Sequence, residues 1–137
     1  QQHRESLVVA THAPGLYEIT DALLRIVMDS GVASGLATAY CRHTSCSLLV
    51  QENADPDVKT DLIGFFRRLA PEGMDWIVHD AEGPDDMPAH IRAALTQSGL
   101  DPGRQRPAAA RDMQGLYLFE HRARPHRRQV VLHVMGQ

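Results

Sequence analysis

Two short apolar segments and the polar stretch between them decide the fold class of this chain. Residues 35–41 are GLATAYC, residues 42–46 are RHTSC and residues 47–51 are SLLVQ. Short apolar segments bounded by polar residues predict β-strands. A second pair of strands is predicted over residues 115–121 and 129–134, with the basic loop 122–128 between them. Hairpin-like strand pairs separated by helices indicate an α+β fold rather than a doubly wound sheet.

The segment before the first strand pair predicts one strand and one helix. Residues 6–11 (SLVVAT) are rich in β-branched side chains, and Pro14-Gly15 then marks a turn. A helix follows, with Thr20 or Asp21 as its N-cap and Gly31 at its C-terminal end.

Two further helices are predicted between the strand pairs. One begins at Pro56, with Asp55 as its N-cap, and runs to about residue 69. The other begins at residues 87–88, with Asp86 as its N-cap, and ends before Gly99. Their apolar spacing predicts two buried faces, formed by Val58, Leu62, Ile63, Phe66 and Leu69 in the first and by Ile91, Ala94 and Leu95 in the second.

Length and composition narrow the class of protein. The chain has 137 residues, which predicts a single domain over residues 1–137. Its 14 Lys+Arg against 17 Asp+Glu give a net charge of −3, so a general nucleic-acid partner is not expected. No apolar run approaches the roughly 20 residues that span a bilayer, so no membrane partner is expected. With only two cysteines and no apolar leader segment, the predicted location is the cytoplasm.

Eight histidines are the unusual feature of the composition, and three polar clusters contain most of them. The sequence has no P-loop, no GxGxxG and no HExxH motif. The clusters lie at residues 43–55, 79–90 and 114–128. The middle cluster holds two histidines and four carboxylates, which are the ligands of a Zn²⁺-type site. A solvated acidic loop with incidental histidines is the alternative for this cluster.

Taken in order, these clusters resemble the YjbQ family of small uncharacterised proteins, which are described as secondary thiamine-phosphate synthases. The resemblance spans nearly the whole chain, from about residue 7 to residue 136. It is carried by HTSCSL at 43–48, ENADPDV at 52–58, EGPDDMPAHI at 82–91, QGLYL at 114–118, EHR at 120–122 and PHRR at 125–128. The chain departs from the family pattern at Ser45 (usually Thr), Cys46 (usually Ala), Met113 (usually Trp) and Phe119 (often Cys).

The resemblance implies an α+β fold of two packed, mostly antiparallel β-sheets with flanking helices. It also implies a homotrimer with sheets packed about the threefold axis. The implied activity resembles that of thiamine-phosphate synthase, in which a thiazole phosphate nitrogen attacks a pyrimidine methylene carbon and pyrophosphate leaves. A small phosphorylated or anionic molecule is therefore the expected partner.

The same clusters suggest which residues of a site bind a metal, which act as carboxylate bases and which bind the substrate. We predict that His43, His90 and His121 bind a divalent metal, Zn²⁺ or a similar ion, with Mg²⁺ as the alternative. Three carboxylates would orient these ligands or act as a base, namely Asp55, Asp86 and Glu120. Polar and cationic groups would bind the substrate and its phosphate, namely Thr44, Ser45, Ser47, Asn53, Arg122 and Arg127.

Two other functions fit the same residues. The chain could be a non-catalytic trimer that binds a metal or a small anion. It could also contact RNA through the arginines of residues 122–128, although aromatic residues are sparse and the net charge is negative.

Overall fold

The computed structural model describes residues 1–96 and 114–137, and these form six strands and three helices. Their bounds are β1 Gln2–Thr11, β2 Gly15–Glu18, α1 Thr20–Asp29, β3 Gly35–Cys41, β4 Cys46–Glu52, α2 Pro56–Leu69, α3 Asp86–Thr96, β5 Gln114–Glu120 and β6 His126–Gly136. The end of the third helix proposed near Gly99 and the position of Met113 lie outside the described residues.

The strands form two three-stranded antiparallel sheets. One sheet has the order β1-β6-β3 and the other has the order β2-β5-β4. The predicted α+β class with two antiparallel sheets is therefore confirmed. The expectation of hairpins is wrong, because β3 pairs with β6 and β4 pairs with β5. The chain passes from one sheet to the other at every step between consecutive strands except β4 to β5, which are neighbours in one sheet.

The core lies between the two sheets and under α1. Alternate residues of β4, β5 and β6 point into it, and Leu48, Leu118 and Leu132 are at most 2% exposed. From Gly115 onward β5 is buried throughout, because its second face is also covered. There the Phe119 ring lies 5.6 Å from the ring of Phe66 on α2.

The helices match the prediction in extent better than in burial. Asp55 caps α2 as predicted, since its Oδ1 accepts a 2.9 Å hydrogen bond from the Asp57 N–H. The cap proposed for α1 is wrong, because Ile19 occupies that position without a side-chain bond.

The predicted buried face of α3 is also wrong. Leu95 is 60% exposed, while Arg92 and Asp86 are buried. Polar partners, which a hydrophobic pattern does not detect, set the orientation of this helix. Leu69 of α2 is likewise 51% exposed against expectation. None of the described helices is long and apolar enough to cross a membrane.

Glycine at position 35 is required by the close approach of β3 to β6. A Cβ atom there would lie 1.9 Å from the Met135 carbonyl oxygen, which is backbone and cannot swing away. We expect Gly35→Ala to lower the free energy of unfolding by about 2–3 kcal/mol. Gly64 is the matched control, since a Cβ on this helical residue meets only the Arg68 side chain at 3.7 Å.

The control substitution should have the opposite sign. Gly64→Ala should raise the free energy of unfolding by up to about 1 kcal/mol, because alanine is the better helix former. Urea denaturation of both variants checks the pair. Equal stability of Gly35→Ala and the wild-type protein would contradict the close packing of these strands.

Candidate functional site

Four potential metal ligands meet where the segment after α2 turns into α3. Asp86 and His90 are one turn apart on α3 and so share a helix face. His79 and Glu82 precede the helix. Gly83 reverses the chain between them and α3 at a φ of +106°, a conformation that favours glycine. Its carbonyl oxygen accepts a 3.3 Å hydrogen bond from the Asp86 N–H.

The ligand atoms of this group, which we call the 79–90 cluster, lie within 4.8 Å of one another. Asp86 Oδ2 is 2.8 Å from His79 Nε2 and 3.2 Å from His90 Nε2. His79 Nε2 is also 3.9 Å from Glu82 Oε2. Within residues 1–96 and 114–137 it is the one group of three or more His, Cys, Asp or Glu side chains so placed.

Arg122 holds the buried side of the cluster in place. Its Nη1 donates to Asp86 Oδ1, its Nε donates to Asp85 Oδ2 at 3.0 Å, and its Nη2 donates to the Glu82 carbonyl oxygen at 2.9 Å. Burial alone would raise the pKa of Asp86. The His79 hydrogen bond and the nearby charges of His90 and Arg122 outweigh burial and lower the pKa of Asp86 below its usual value. Asp86 is therefore a charged carboxylate at neutral pH.

Of the three predicted metal-binding histidines, the structure places only His90 in this cluster. His43 Nε2 accepts a 2.8 Å hydrogen bond from the Gln129 N–H. His121 is 1% exposed, and its Nε2 is 3.1 Å from Ser47 Oγ. Burial, with a contribution from Arg92, lowers the pKa of His121 to about 3. The joint ligand set of His43, His90 and His121 stays a prediction.

Among the three predicted catalytic carboxylates, Glu120 lies in a buried ion pair. Its Oε2 accepts hydrogen bonds of 2.7 Å from both Arg128 Nε and Thr11 Oγ1, and Arg128 Nη2 bonds its other oxygen. These bonds outweigh burial and lower the pKa of Glu120. Asp55 is the exposed cap of α2, and Asp86 belongs to the 79–90 cluster.

The predicted substrate-binding residues are spread over several places. Ser45 Oγ accepts from Arg128 Nη2 at 2.9 Å, and Asn53 Nδ2 donates to Glu18 at 3.3 Å. Thr44 and Arg127 are exposed. The structure thus brings Ser47 together with His121, and it brings both Arg122 and His90 together with Asp86. The Ser45 carbonyl oxygen also accepts a 3.3 Å hydrogen bond from the His121 N–H.

Sequence reasoning missed two arginines that line a cavity near the cluster. Arg67 of α2 and Arg92 of α3 meet there, although they are 25 positions apart in sequence. Nothing in the sequence indicated that Arg92 is buried, because this residue lies on a helix face that was expected to be polar. The signal for the cluster itself was the i,i+4 spacing of Asp86 and His90, which the sequence already displayed.

Comparison with known sequences gives one family. A family model described as UPF0047 protein YjbQ-like matches residues 5–137. A UPF0047 protein of Synechocystis sp. is 48% identical over 141 residues, which cover 100% of this chain and 94% of that protein. The UPF0047 protein YjbQ of Escherichia coli O157:H7 is 32% identical and covers 98% of this chain and 99% of its own.

Solved structures agree with this result. A YbjQ-like protein of unknown function from Sulfolobus solfataricus superposes with a TM-score of 0.82 over 100% of both chains, and at 17% identity it supports the fold alone. A conserved hypothetical protein from Thermus thermophilus has a TM-score of 0.77 and 31% identity, covering 96% of this chain and 99% of that one.

Proposed function

The chain belongs to the UPF0047 YjbQ-like family, and from this premise we propose that it is a cytoplasmic, metal-dependent enzyme acting on a small phosphorylated substrate. The observation that carries the proposal is the 79–90 cluster, in which the ligand atoms of two imidazoles and two carboxylates all lie within 4.8 Å of one another. Bound there, a divalent metal would polarise a substrate oxygen and stabilise developing negative charge.

The donor set fits Zn²⁺ or a similar transition metal. His79 and His90 offer Nε2, Asp86 offers Oδ2, and Glu82 offers a carboxylate oxygen. Mixed nitrogen and oxygen ligands suit such an ion, whereas Mg²⁺ prefers oxygen ligands and water. Arg122 holds Asp86 from the side away from the imidazoles, as outer partners of ligands commonly do.

The exposure of the cluster fits a catalytic metal site better than a closed structural metal site. The Glu82 side chain is 65% exposed and that of His79 is 48% exposed, so a substrate can approach them. Catalytic metal sites keep one coordination position for water or substrate. Glu82 is the ligand we expect to give way.

Thiamine-phosphate-synthase-like chemistry is the finer part of the proposal and rests on the family resemblance. In that reaction a carbon–nitrogen bond forms as the bond between the pyrimidine methylene carbon and the pyrophosphate oxygen breaks. Cationic groups assist the departure of pyrophosphate. We also propose a homotrimer from the resemblance, which light scattering on the purified protein would test by giving three times the mass of one chain.

Metal titration tests the proposal directly. The wild-type protein should bind one equivalent of Zn²⁺, and His90→Ala and His79→Ala should each weaken binding by about 100-fold or more, because each removes a direct ligand. His133→Ala is the control, since His133 lies on β6 outside the cluster. Calorimetry measures the Zn²⁺ affinity of each variant, and circular dichroism checks that each variant is folded. Unchanged affinity in both ligand variants would overturn the metal assignment.

Rescue of a thiamine-requiring bacterial strain separates the enzyme from a second candidate, a non-catalytic metal- or anion-binding protein. The exposure of His79 and Glu82 would also let a free ion enter and leave, which is all that the second candidate requires. An enzyme should rescue growth, and His90→Ala should lose the rescue. Metal binding without rescue by the wild-type protein would favour the non-catalytic function.

A further inference from the structure

A cavity of about 370 Å³ lies beside the 79–90 cluster and is separate from it in its residues. Arg67, Arg92 and His121 line it, and so do two carboxylates, Glu72 and Asp85. The volume falls within the usual range for small-molecule sites.

Arg92 is held in the wall of this cavity with hydrogen-bonding capacity to spare. It is 9% exposed, and its Nη2 donates to the Ala70 carbonyl oxygen at 2.7 Å. Its Nε is buried and has no hydrogen-bond partner among the described residues. Burial and the nearby charge of Arg67 both lower the pKa of Arg92. Two guanidinium groups at one cavity, one with an unused donor, fit an anion.

The protonation state of His121 follows from a chain of hydrogen bonds. Thr96 Oγ1 donates its one hydrogen to the Arg92 carbonyl oxygen at 2.7 Å. Ser47 Oγ, 2.6 Å from Thr96 Oγ1, must therefore donate to it, and so must accept from His121 Nε2 at 3.1 Å. The hydrogen of the neutral imidazole is thus on Nε2. Nδ1 is left as an acceptor, buried and without a partner among the described residues.

The two carboxylates at the cavity leave the arginine donors available. Asp85 accepts hydrogen bonds from Arg122 Nε at 3.0 Å and from the Ala123 N–H at 2.8 Å, so its oxygens are already engaged. Glu72 lies exposed to solvent. Neither carboxylate is hydrogen-bonded to Arg92, whose Nε stays unpaired among the described residues.

We propose that this cavity binds the monoanionic form of a phosphate group, with Arg67 and Arg92 donating to its oxygens and His121 Nδ1 accepting the hydrogen of its P–OH. A protonated phosphate supplies both the acceptors and the one donor that these side chains need. A sulfate dianion has similar size but no hydrogen to donate. The inference rests on the proposed function in taking the substrate to be phosphorylated, and it names the residues that would hold that phosphate.

Inorganic phosphate and sulfate, compared by calorimetry at about pH 6, test the proposal, since inorganic phosphate is mainly the monoanion H2PO4⁻ there and has P–OH hydrogens to donate. The wild-type protein should bind phosphate about 10-fold or more tighter than sulfate, because sulfate leaves Nδ1 unpaired. His121→Phe should bind the two anions equally. Arg67→Gln should weaken both, and Arg25→Gln, an exposed arginine of α1, should weaken neither.

Several outcomes would overturn the proposal. These are equal affinity of the wild-type protein for the two anions, no binding of either, and an Arg67→Gln variant that behaves like Arg25→Gln. Arg67 is exposed, so its substitution tests the cavity without disturbing the core. His90→Ala should keep the preference for phosphate. A metal site that fails with the preference intact would overturn the proposed function and leave this inference standing.

Discussion

Replacing Glu120 with alanine is expected to lower the free energy of unfolding by about 3–5 kcal/mol, the largest stability effect we expect of a single substitution here. Glu120 is 0% exposed, and Arg128, its ion-pair partner, is 4% exposed. Removing the carboxylate leaves the Arg128 guanidinium buried without its counter-charge. The Thr11 hydroxyl and the Arg122 N–H, which both donate to Glu120, lose an acceptor as well.

Urea denaturation monitored by circular dichroism measures this effect. Glu5→Ala on β1 is the matched control, because Glu5 is an exposed strand residue and its loss should change stability by about 0.5 kcal/mol or less. A double variant, Glu120→Leu with Arg128→Leu, should be less destabilised than Glu120→Ala, since it leaves no unpaired buried charge. Equal stability of Glu120→Ala and Glu5→Ala would show that the ion pair contributes nothing.

The stability of the protein is expected to fall as the pH drops below about 6.5, and His121 is the main cause, with a smaller contribution from His43, whose pKa burial also lowers. The pKa of His121 is about 3 in the folded protein, against an ordinary value of 6.5. Between these values the unfolded chain binds a proton that the folded chain excludes, so stability rises with pH across this window. The contribution is fully present above pH 6.5 and is lost as the pH falls toward 3. At about 1.36 kcal/mol per pH unit, the loss from pH 6.5 to 4.5 is about 2–3 kcal/mol.

The variant His121→Phe isolates this contribution. It cannot take up the proton, so its stability should depend on pH less steeply than that of the wild-type protein. Burial, Arg92 and Arg128 lower the pKa of His121 and Glu120 raises it, and the other titratable groups are common to both proteins. His133→Phe should keep the wild-type slope. Parallel pH profiles for the wild-type protein and His121→Phe would contradict a buried neutral imidazole.

Local signals in the sequence predicted the strands and helices well. The pairing of strands could not be predicted, because it depends on segments that are far apart in the sequence. The bounds of β3 and α2 were predicted closely, because apolar runs and a Pro56 start with its Asp55 cap are local features. The missing hairpins have a different origin. Polar residues between β3 and β4 permit either a tight turn or a passage between sheets, and only the partners β5 and β6 decide which of these occurs.

Two predicted site residues, Asp86 and His90, lie close together in the structure because they are four positions apart on one helix. The grouping of His43 with them depended on distant segments, and in the structure His43 bonds the β6 backbone at Gln129 instead. Arg92 was missed since a charged residue on a helix is expected to face water. Its burial depends on Ala70, which is 22 positions away in sequence.

The two oxygens of Asp86 have different hydrogen-bond partners, and this affects how an ion would bind. One oxygen is committed to a guanidinium, and the other already serves two imidazoles. An ion that took the same imidazole Nε2 atoms as ligands would first have to break their hydrogen bonds to Asp86. An ion held by Asp86 and by the solvent-accessible His79 and Glu82 would exchange readily with its surroundings. Occupancy would then follow the supply of free metal in the cell, so the protein would respond to metal scarcity sooner than one with a closed, tightly chelating centre.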